Sequence, residues 1–444
     1  MKPYRRRHIY NMKKLILAFI VLPFLGYSQS VSGTFSPSKD FTYAFLYKAS
    51  PEGADYVDSG KLDSLGRFEI PLNETVTPGI YKIVYAIPPE ENNFDFIYDG
   101  KESVDFNFSY EKGVEFKYSE ENKLWNSYLK SMEMVNITIS NYYTKNVKDE
   151  EGFNAIFKTL KDTQKGYEDL ARDKLVSSFI LANRPYIPSE YQDVSTYSNN
   201  LKKHYLNQID FSNYLLQSSS FLVDRITAYV FNMEQNPSND TFKSHVDDVA
   251  KAIGSDNSEI KTTLLKILWQ RFVNLENHEL TNYITDMYLL DLANATGNIV
   301  LAESIISYKN TSIGTKAPNF DIKSKDSTSD LHSLEGSEYY LLVFWSSGCG
   351  HCLKELPKVK ELVTNKSNIE VVAFGLENDS IDWTKEIEKY PDFTHAIGLG
   401  KWENPIVKTY GIAATPMYFL LSEDKIIMAK PYAFEDLEVL IENL

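Results

Sequence analysis

Three hydrophobic patterns follow one another along the chain, and the first is typical of β-strands. Up to residue 119, aromatic and β-branched residues alternate with polar ones in short runs that turn residues separate. The predicted strands cover residues 41–47, 66–70, 80–85, 94–98, 104–108 and 114–118. Short strands with regular turns favour a small sandwich. We therefore expect an all-β sandwich domain over residues 29–119.

The second pattern is helical and occupies residues 120–312. Leu124, Tyr128 and Met132 recur at a spacing of four residues, and similar apolar stripes return later in the region. Proline residues separate one predicted helix from the next. We therefore expect a helical middle region, built as a bundle or an insert.

The third pattern alternates strand and helix over residues 313–444. A continuous apolar run, Tyr339–Trp345, predicts a buried strand. The elements predicted after it are a helix over 353–363, a strand over 369–374, a helix over 381–389, a hairpin over 417–428 and a helix over 434–444. This order predicts an α/β domain with a mixed sheet, so the whole chain is predicted to be multidomain.

The first 28 residues have the form of a secretory signal peptide. Lys13 and Lys14 precede an apolar run over residues 15–25, and small residues precede a cleavage point after Ser28. The run is too short to span a bilayer, which takes about 20 residues. An uncleaved anchor and a buried helix are the alternatives. We expect export to the periplasm and a soluble mature protein.

Charge and cysteine content exclude several classes of function. The chain has 46 Lys and Arg against 61 Asp and Glu, a net charge of −15. Such an acidic body repels nucleic acid and anionic lipid. The only cysteines are Cys349 and Cys352, which excludes a disulfide-stapled scaffold and a four-thiolate zinc site. His204, His245 and His278 stand singly in the helical region, so we predict no metal site and no cofactor.

The candidate chemistry lies in the two cysteines, which follow the buried strand and open the next helix. Two intervening residues place the sulfurs within bonding reach of each other. Unpaired amides and the dipole at a helix N-terminus lower the pKa of Cys349 from its usual value of about 8.5. Cys352 can then resolve a mixed disulfide. His351 adds a partial positive charge near the thiolate, which should stabilise the reduced form and make the disulfide more oxidising.

A structural disulfide and a bound metal ion are two other interpretations of the cysteine pair. A structural disulfide that closes so short a loop removes little chain entropy, so it would stabilise the fold poorly. A copper(I) ion held by two thiolates is the second alternative. The placement between a strand and a helix, together with the predicted export, favours redox chemistry.

Residues 314–444 resemble the thioredoxin-like superfamily and, within it, the TlpA/ResA group of exported thiol-disulfide oxidoreductases. The motifs that carry the resemblance stand around the cysteine pair in the order typical of that group: Ala317–Phe320, Phe344–Trp345, the cysteine pair, Glu355–Pro357 and Thr415–Pro416. A β domain and a helical segment ahead of such a domain also resemble a common architecture of these proteins.

The resemblance implies a role for several residues. Pro416 would be a cis-proline that faces the cysteines, and Thr415 would present its backbone to an extended substrate. Thioredoxins carry a buried Asp where this chain has Val343, so that acid is missing. The TlpA/ResA group instead uses a Glu at the position of Glu355, which would accept a proton from Cys352.

Further residues are expected to support the site. Trp345 would pack beside the cysteines, and Pro357 would kink the helix because it lacks a backbone donor. Gly350 and His351 match protein disulfide isomerases, whereas reductases of the group often carry an acid there. The direction of electron flow is therefore open.

A peroxiredoxin is excluded although Ala317–Phe320 also resembles the start of those proteins. Leu342 and Ser346 stand where the peroxiredoxin nucleophile needs Pro and Thr.

The sequence thus predicts an exported enzyme that reduces protein disulfides, with Cys349 as nucleophile and Cys352 as resolving residue. Its expected partners are disulfide-containing exported proteins and a membrane thiol-disulfide electron donor, and not nucleic acid. The alternatives are a disulfide oxidase or isomerase that uses the same site, or an adaptor that binds copper(I) or a partner.

Overall fold

The structure is a computed structural model that describes residues 29–145, 148–323 and 328–444. The predicted signal peptide, residues 1–28, lies outside the described residues. A β-rich N-terminal region, a helical middle and a mixed α/β C-terminal region follow one another, which confirms the predicted multidomain fold class.

The described chain divides into two compact units. One comprises residues 29–49 and 54–126, and the other comprises residues 50–53 and 127–444. The domain boundaries drawn from the sequence stay a prediction.

Short strands that are rich in aromatic residues form two sheets in the N-terminal region. Its strands are β1 (Ser30–Ser36), β2 (Tyr43–Ser50), β3 (Gly53–Lys61), β4 (Arg67–Pro71), β5 (Gly79–Val84), β6 (Asn93–Tyr98), β7 (Val104–Ser109) and β8 (Gly113–Tyr118). The sheet orders are β4-β1-β7-β8 and β3-β2-β5-β6, with β1 parallel to β7. Side chains of both sheets share one buried core, in which the Phe35 and Phe106 ring centroids lie 5.8 Å apart.

Strands β1 and β3 were not predicted, and their sequences explain why. Strand β3 is exposed along most of its length, so it lacks the alternation that marks a half-buried strand. Strand β1 contains Gly33, where an added Cβ would lie 2.7 Å from the Phe106 ring. A larger residue would clash there, so only glycine fits at this position. Because glycine has no side chain, the segment lacks one of the β-branched residues from which a strand is recognised.

Helices fill the middle region, as predicted. They are α1 (Glu120–Thr144), α2 (Glu150–Leu170), α3 (Ser177–Ala182), α4 (Val194–His204), α5 (Tyr214–Gln217), α6 (Phe221–Asn232), α7 (Asn239–Ile253), α8 (Ser258–Asn274), α9 (His278–Ile284), a π-helical turn (Thr285–Leu289), α10 (Leu290–Ala295) and α11 (Ile299–Asn310). Asp149 and Asn277 cap α2 and α9 by accepting backbone N–H groups. Within the described ranges, no helix combines the length and apolar character needed to cross a membrane.

Strand and helix alternate in the C-terminal region. Its elements are β9 (Asp321–Lys323), β10 (Thr328–Asp330), β11 (Tyr339–Trp345), α12 (Cys352–Val363), β12 (Ile369–Glu377), α13 (Ile381–Ile387), β13 (Thr394–Leu399), α14 (Pro405–Tyr410), β14 (Met417–Ser422), β15 (Ile427–Ala429) and α15 (Phe434–Glu442). The main sheet has the order β13-β12-β11-β14-β15. Strand β11 is buried on both faces, because Leu342 and Phe344 enter one core while Val343 and Trp345 enter the other.

The register of this sheet brings the site together at one edge. Strands β11 and β12 run parallel with Trp345 opposite Gly375, so both strands end at the same edge. Strand β14 runs antiparallel with Met417 opposite Phe344, so it starts there. The loop after β11, the end of β12 and Pro416 therefore meet at one edge of the sheet.

Helix α11 packs closely against the segment that leads into β14. Gly411 ends α14 at a φ of +64°, and an added Cβ would lie 2.5 Å from Ser307 Oγ on α11. Lys408 and Glu303 form an ion pair of 2.9 Å between α14 and α11. The chain that approaches Thr415 is therefore held by a neighbouring helix.

Candidate active site

The cysteine pair lies where strand β11 gives way to helix α12. Cys349 and Cys352 form a disulfide with a Cα–Cα distance of 5.3 Å. Helical hydrogen bonding begins at Cys349, whose carbonyl accepts from the Leu353 N–H at 3.1 Å. Cys352 is the first residue of α12. The pair is thus placed at the N-terminus of a helix, where backbone N–H groups lack helical acceptors.

The two sulfurs differ in their exposure. Cys352 is 0% exposed and belongs to the core beneath α12, whereas Cys349 is partly exposed. The backbone N–H of Cys352 points to Cys349 Sγ at 3.2 Å. A donor in this position stabilises negative charge on Cys349 once the disulfide is reduced. Solvent and a partner can therefore reach one sulfur and not the other.

Thr415 and Pro416 lie beside the outer sulfur. Cys349 Sγ is 3.4 Å from the Thr415 carbonyl oxygen. The peptide bond between Thr415 and Pro416 is cis, and both residues are half-buried. A backbone carbonyl next to the exposed sulfur can accept a hydrogen bond from an extended chain that approaches the disulfide.

Four other predicted site residues lie in the segment that runs from the end of β11 into α12. Trp345 is completely buried in the core that also contains Cys352. Gly350 and His351 are exposed between the cysteines. Pro357 is exposed inside α12, which continues to Val363.

Glu355 lies on α12 and is held by Tyr418, a residue that no sequence motif indicates. It is half-buried, and its Oε2 accepts a hydrogen bond of 2.6 Å from the Tyr418 hydroxyl. Tyr418 is 1% exposed. Burial, reinforced by the neighbouring carboxylate, raises the pKa of Tyr418, so the hydroxyl keeps its proton and donates.

A second carboxylate, Glu377, was also missed. It ends β12 with only 6% exposure. Its oxygens accept from the Ser347 N–H, from Ser347 Oγ at 3.0 Å and from Ser346 Oγ at 3.4 Å. These bonds hold the turn that leads to Cys349. The predicted strand stopped at residue 374, so the acid at its end was not noticed.

A positive charge lies beside the same turn. An added Cβ at Gly348 would lie 3.9 Å from Lys401 Nζ, so the ammonium group is close to the residue that precedes Cys349. Lys401 begins a short 3₁₀ turn after β13, an element that the hydrophobic pattern did not predict.

No metal-ligand cluster accompanies the dithiol in the described part of the chain, where no group of three or more His, Cys, Asp or Glu is placed to hold an ion. The fold and the site together define a domain of thioredoxin-like fold with a redox-active cysteine pair.

The family model and the sequence relatives agree with this class. The family model described as Redoxin matches residues 312–438. The chain is similar to the thiol-disulfide oxidoreductase ResA of Bacillus thuringiensis, with 27% identity over 31% of this chain and 79% of that protein. ResA of Bacillus anthracis is 29% identical over the same shares. The thioredoxin domain of a thiol-disulfide oxidoreductase from Bacteroides vulgatus matches with 25% identity and a TM-score of 0.27, over 30% of this chain and 96% of that domain.

The C-terminal domain is therefore a TlpA/ResA-like domain of thioredoxin fold, as predicted. The protein is a protein-disulfide oxidoreductase, and its reaction partners are, in general, proteins that carry thiols or disulfides.

Proposed function

We propose that this protein reduces disulfides of exported proteins, with Cys349 as the nucleophile and Cys352 as the resolving residue. The observation that carries the proposal is the difference in exposure between the two sulfurs. Cys352 is 0% exposed, while Cys349 is partly exposed beside the Thr415 carbonyl. Only Cys349 can meet the disulfide of a folded partner, so the first bond forms there.

In the first step, the reduced enzyme attacks its substrate. The Cys349 thiolate, stabilised by the Cys352 N–H, attacks one sulfur of the substrate disulfide. The substrate S–S bond breaks as the bond to Cys349 forms, and the other substrate sulfur leaves as a thiolate that takes up a proton. The product is a mixed disulfide.

In the second step, Cys352 releases the substrate. Glu355 accepts the proton of the Cys352 thiol, and the resulting thiolate attacks Cys349 Sγ. The internal disulfide forms and the substrate leaves with its second sulfur reduced. The substrate has gained two electrons and two protons, and the enzyme has lost two electrons. An external dithiol must then reduce the enzyme disulfide.

Thr415 and Pro416 are proposed to position the substrate. An extended substrate strand would donate a backbone N–H to the Thr415 carbonyl, which lies 3.4 Å from the reacting sulfur. Trp345 packs under the site, while Gly350 and His351 border its exposed rim.

The proposed location is the periplasm. It rests on the predicted signal peptide, with Lys13 and Lys14 before a short apolar run. The external dithiol would belong to a membrane thiol-disulfide transporter, as the resemblance to the TlpA/ResA group implies.

Reduction of insulin by the purified protein with dithiothreitol tests the proposal. We expect the wild-type protein to accelerate the precipitation of insulin chains. With Cys349→Ser, the precipitation rate should equal that of dithiothreitol alone, because no other thiol is exposed to attack. Circular dichroism of the variant controls for folding. A Cys349→Ser protein that works at the wild-type rate would refute the mechanism.

A second candidate, oxidation or isomerisation at the same site, is favoured by His351. Its exposed imidazole ring lies between the cysteines, and a cation next to a thiolate stabilises the reduced form and makes the disulfide more oxidising. The reduction potential, measured against glutathione, decides between the two directions. A reduction potential of about −270 mV supports reduction, and a reduction potential of about −120 mV supports oxidation.

A further inference from the structure

A cavity of about 570 Å³ lies in the helical region, far along the chain from the cysteine pair. Its walls come from α1, from α4, from the segment after α3 and from Arg225 of α6. The lining described by the structure includes Arg184, His204 and Arg225 but no Asp or Glu. In a chain with 61 acidic residues and a net charge of −15, a cavity without acids is electrostatically unlike the rest of the protein.

The two arginines of this cavity differ in whether their charge is compensated. Arg184 forms a bidentate ion pair with Glu168, in which its Nε and Nη2 lie 2.6 and 2.7 Å from the two carboxylate oxygens. Arg225 forms no ion pair within the described residues, and its hydrogen bonds go to the Asn183 side chain and the Tyr205 carbonyl, both at 2.9 Å. The cavity therefore keeps one positive charge that no carboxylate neutralises.

The Arg225 guanidinium also retains unused donors. It has five N–H groups, and its two hydrogen bonds engage only two of them. Its buried Nε has no acceptor within the described residues. Burial lowers the pKa of Arg225, yet a guanidinium stays protonated at neutral pH. An uncompensated charge with free donors costs folding free energy unless a ligand supplies an anion.

Aromatic side chains form part of the walls, together with aliphatic and small polar residues. Tyr143 and Tyr197 stack with ring centroids 5.4 Å apart, and Tyr186 stacks on His204 at 4.7 Å. The Tyr205 ring lies 3.8 Å from the Arg225 guanidinium carbon. Flat apolar walls around one fixed charge are typical of small-molecule sites, and the volume falls within their usual range of about 300–1,000 Å³.

We propose that this cavity binds a small organic carboxylate with an aromatic or apolar body. The carboxylate would accept hydrogen bonds from the remaining N–H groups of Arg225 Nη1 and Nη2, and the body would pack against the tyrosine rings. This ligand site goes beyond disulfide exchange and does not involve the cysteines.

Titration calorimetry of the purified protein with phenylacetate tests this proposal, with its neutral isostere phenylacetamide as the matched probe. We expect saturable binding of phenylacetate at one site per chain. Phenylacetamide should bind about ten-fold more weakly or worse, because it cannot form a charge-assisted pair. Sulfate, an anion without an apolar body, should not displace phenylacetate when sodium sulfate is added at equal concentration.

Two arginine variants assign the binding to this cavity. Arg225→Met should weaken phenylacetate binding about ten- to a hundred-fold, while Arg184→Met, at the same cavity but already paired with Glu168, should change it less than about three-fold. Circular dichroism and urea unfolding, measured for Arg225→Met and Arg184→Met beside the wild type, show whether each variant is folded.

Three outcomes would overturn the proposal: no saturable binding of phenylacetate to the wild type, equal binding of phenylacetamide, or unchanged binding to a folded Arg225→Met protein. The first two need no variant, so a misfolded Arg225→Met protein would not prevent the test.

Discussion

Two carboxylates flank the dithiol, and their surroundings differ. Glu377 is 6% exposed and accepts from the backbone of Ser347 and from two serine hydroxyls. Glu355 is half-buried and accepts one hydrogen bond of 2.6 Å, from Tyr418. A carboxylate offers about four lone-pair sites. Glu377 has most of them occupied, while Glu355 keeps sites open to a proton.

The carboxylates of Glu377 and Glu355 are therefore expected to serve two different purposes. The buried Glu377 carboxylate, which accepts from three donors, anchors the turn before Cys349. The half-buried Glu355 carboxylate, which accepts from one donor, keeps lone pairs for the proton that the proposed mechanism gives it. Removal of Glu377 should therefore affect mainly stability, and removal of Glu355 mainly rate.

The largest effect is expected at the resolving cysteine, whose proton Glu355 is proposed to accept. Cys352→Ser should stop the reaction at the mixed disulfide, because the serine hydroxyl cannot attack Cys349 Sγ. After incubation with a disulfide-containing substrate, non-reducing electrophoresis should show a covalent complex, and dithiothreitol should separate it into its components by reducing the mixed disulfide. Cys349→Ser, the matched control, should trap none, and equal trapping by both variants would contradict the assigned roles.

Glu355→Gln should slow release from the mixed disulfide about a hundred-fold, since a positioned base contributes about that much or more. Its free energy of unfolding should change by less than about 0.5 kcal/mol, which is usual for a partly exposed substitution. Stopped-flow kinetics and urea unfolding measure the two quantities. Glu361→Gln, an exposed acid on the same helix, is the control and should match the wild type in both.

Glu377→Gln should lower the stability of the protein more than its reaction rate, the opposite of Glu355→Gln. The amide offers one acceptor instead of two, so the free energy of unfolding should fall by about 1–3 kcal/mol. The rate of insulin reduction should fall only about ten-fold, through the displaced turn before Cys349. If Glu377→Gln instead slowed catalysis as much as Glu355→Gln at unchanged stability, the distinction between anchor and base would be wrong.

Tyr418→Phe should have the smallest effect, a loss of about three-fold in rate near neutral pH. Loss of its hydrogen bond leaves the Glu355 carboxylate less firmly positioned on α12, which lowers the rate of insulin reduction. Tyr410→Phe, a buried tyrosine of the same domain that hydrogen-bonds Pro318 instead, is the control. Equal rates of insulin reduction by Tyr418→Phe and the wild type would show that the tyrosine does not position the carboxylate.

Much of the fold could be predicted because its signals are local. The run Tyr339–Trp345 is apolar on both faces, and the cysteine pair follows it directly, so strand, helix and dithiol were predicted in the correct order. The TlpA/ResA-like nature of the C-terminal domain, predicted from motifs around the dithiol, is confirmed. The roles of Glu355 and Pro416 stay predictions.

Elements with weak local signals were missed. Strand β13 (Thr394–Leu399) contains a glycine and alternates only partly, and β3 has almost no buried side. Both lack the apolar period from which a strand is recognised in a single sequence.

The sequence by itself determined the order of strands and helices and the place of the reactive sulfurs, because hydrophobic period and helix-start chemistry act over a few residues. Only the tertiary structure decided which distant groups meet those sulfurs. Glu377 reaches Ser347 across 30 residues and Tyr418 reaches Glu355 across 63, through the parallel register of β11 with β12 and the antiparallel register of β14. Strand pairing depends on topology and register, which no local period encodes.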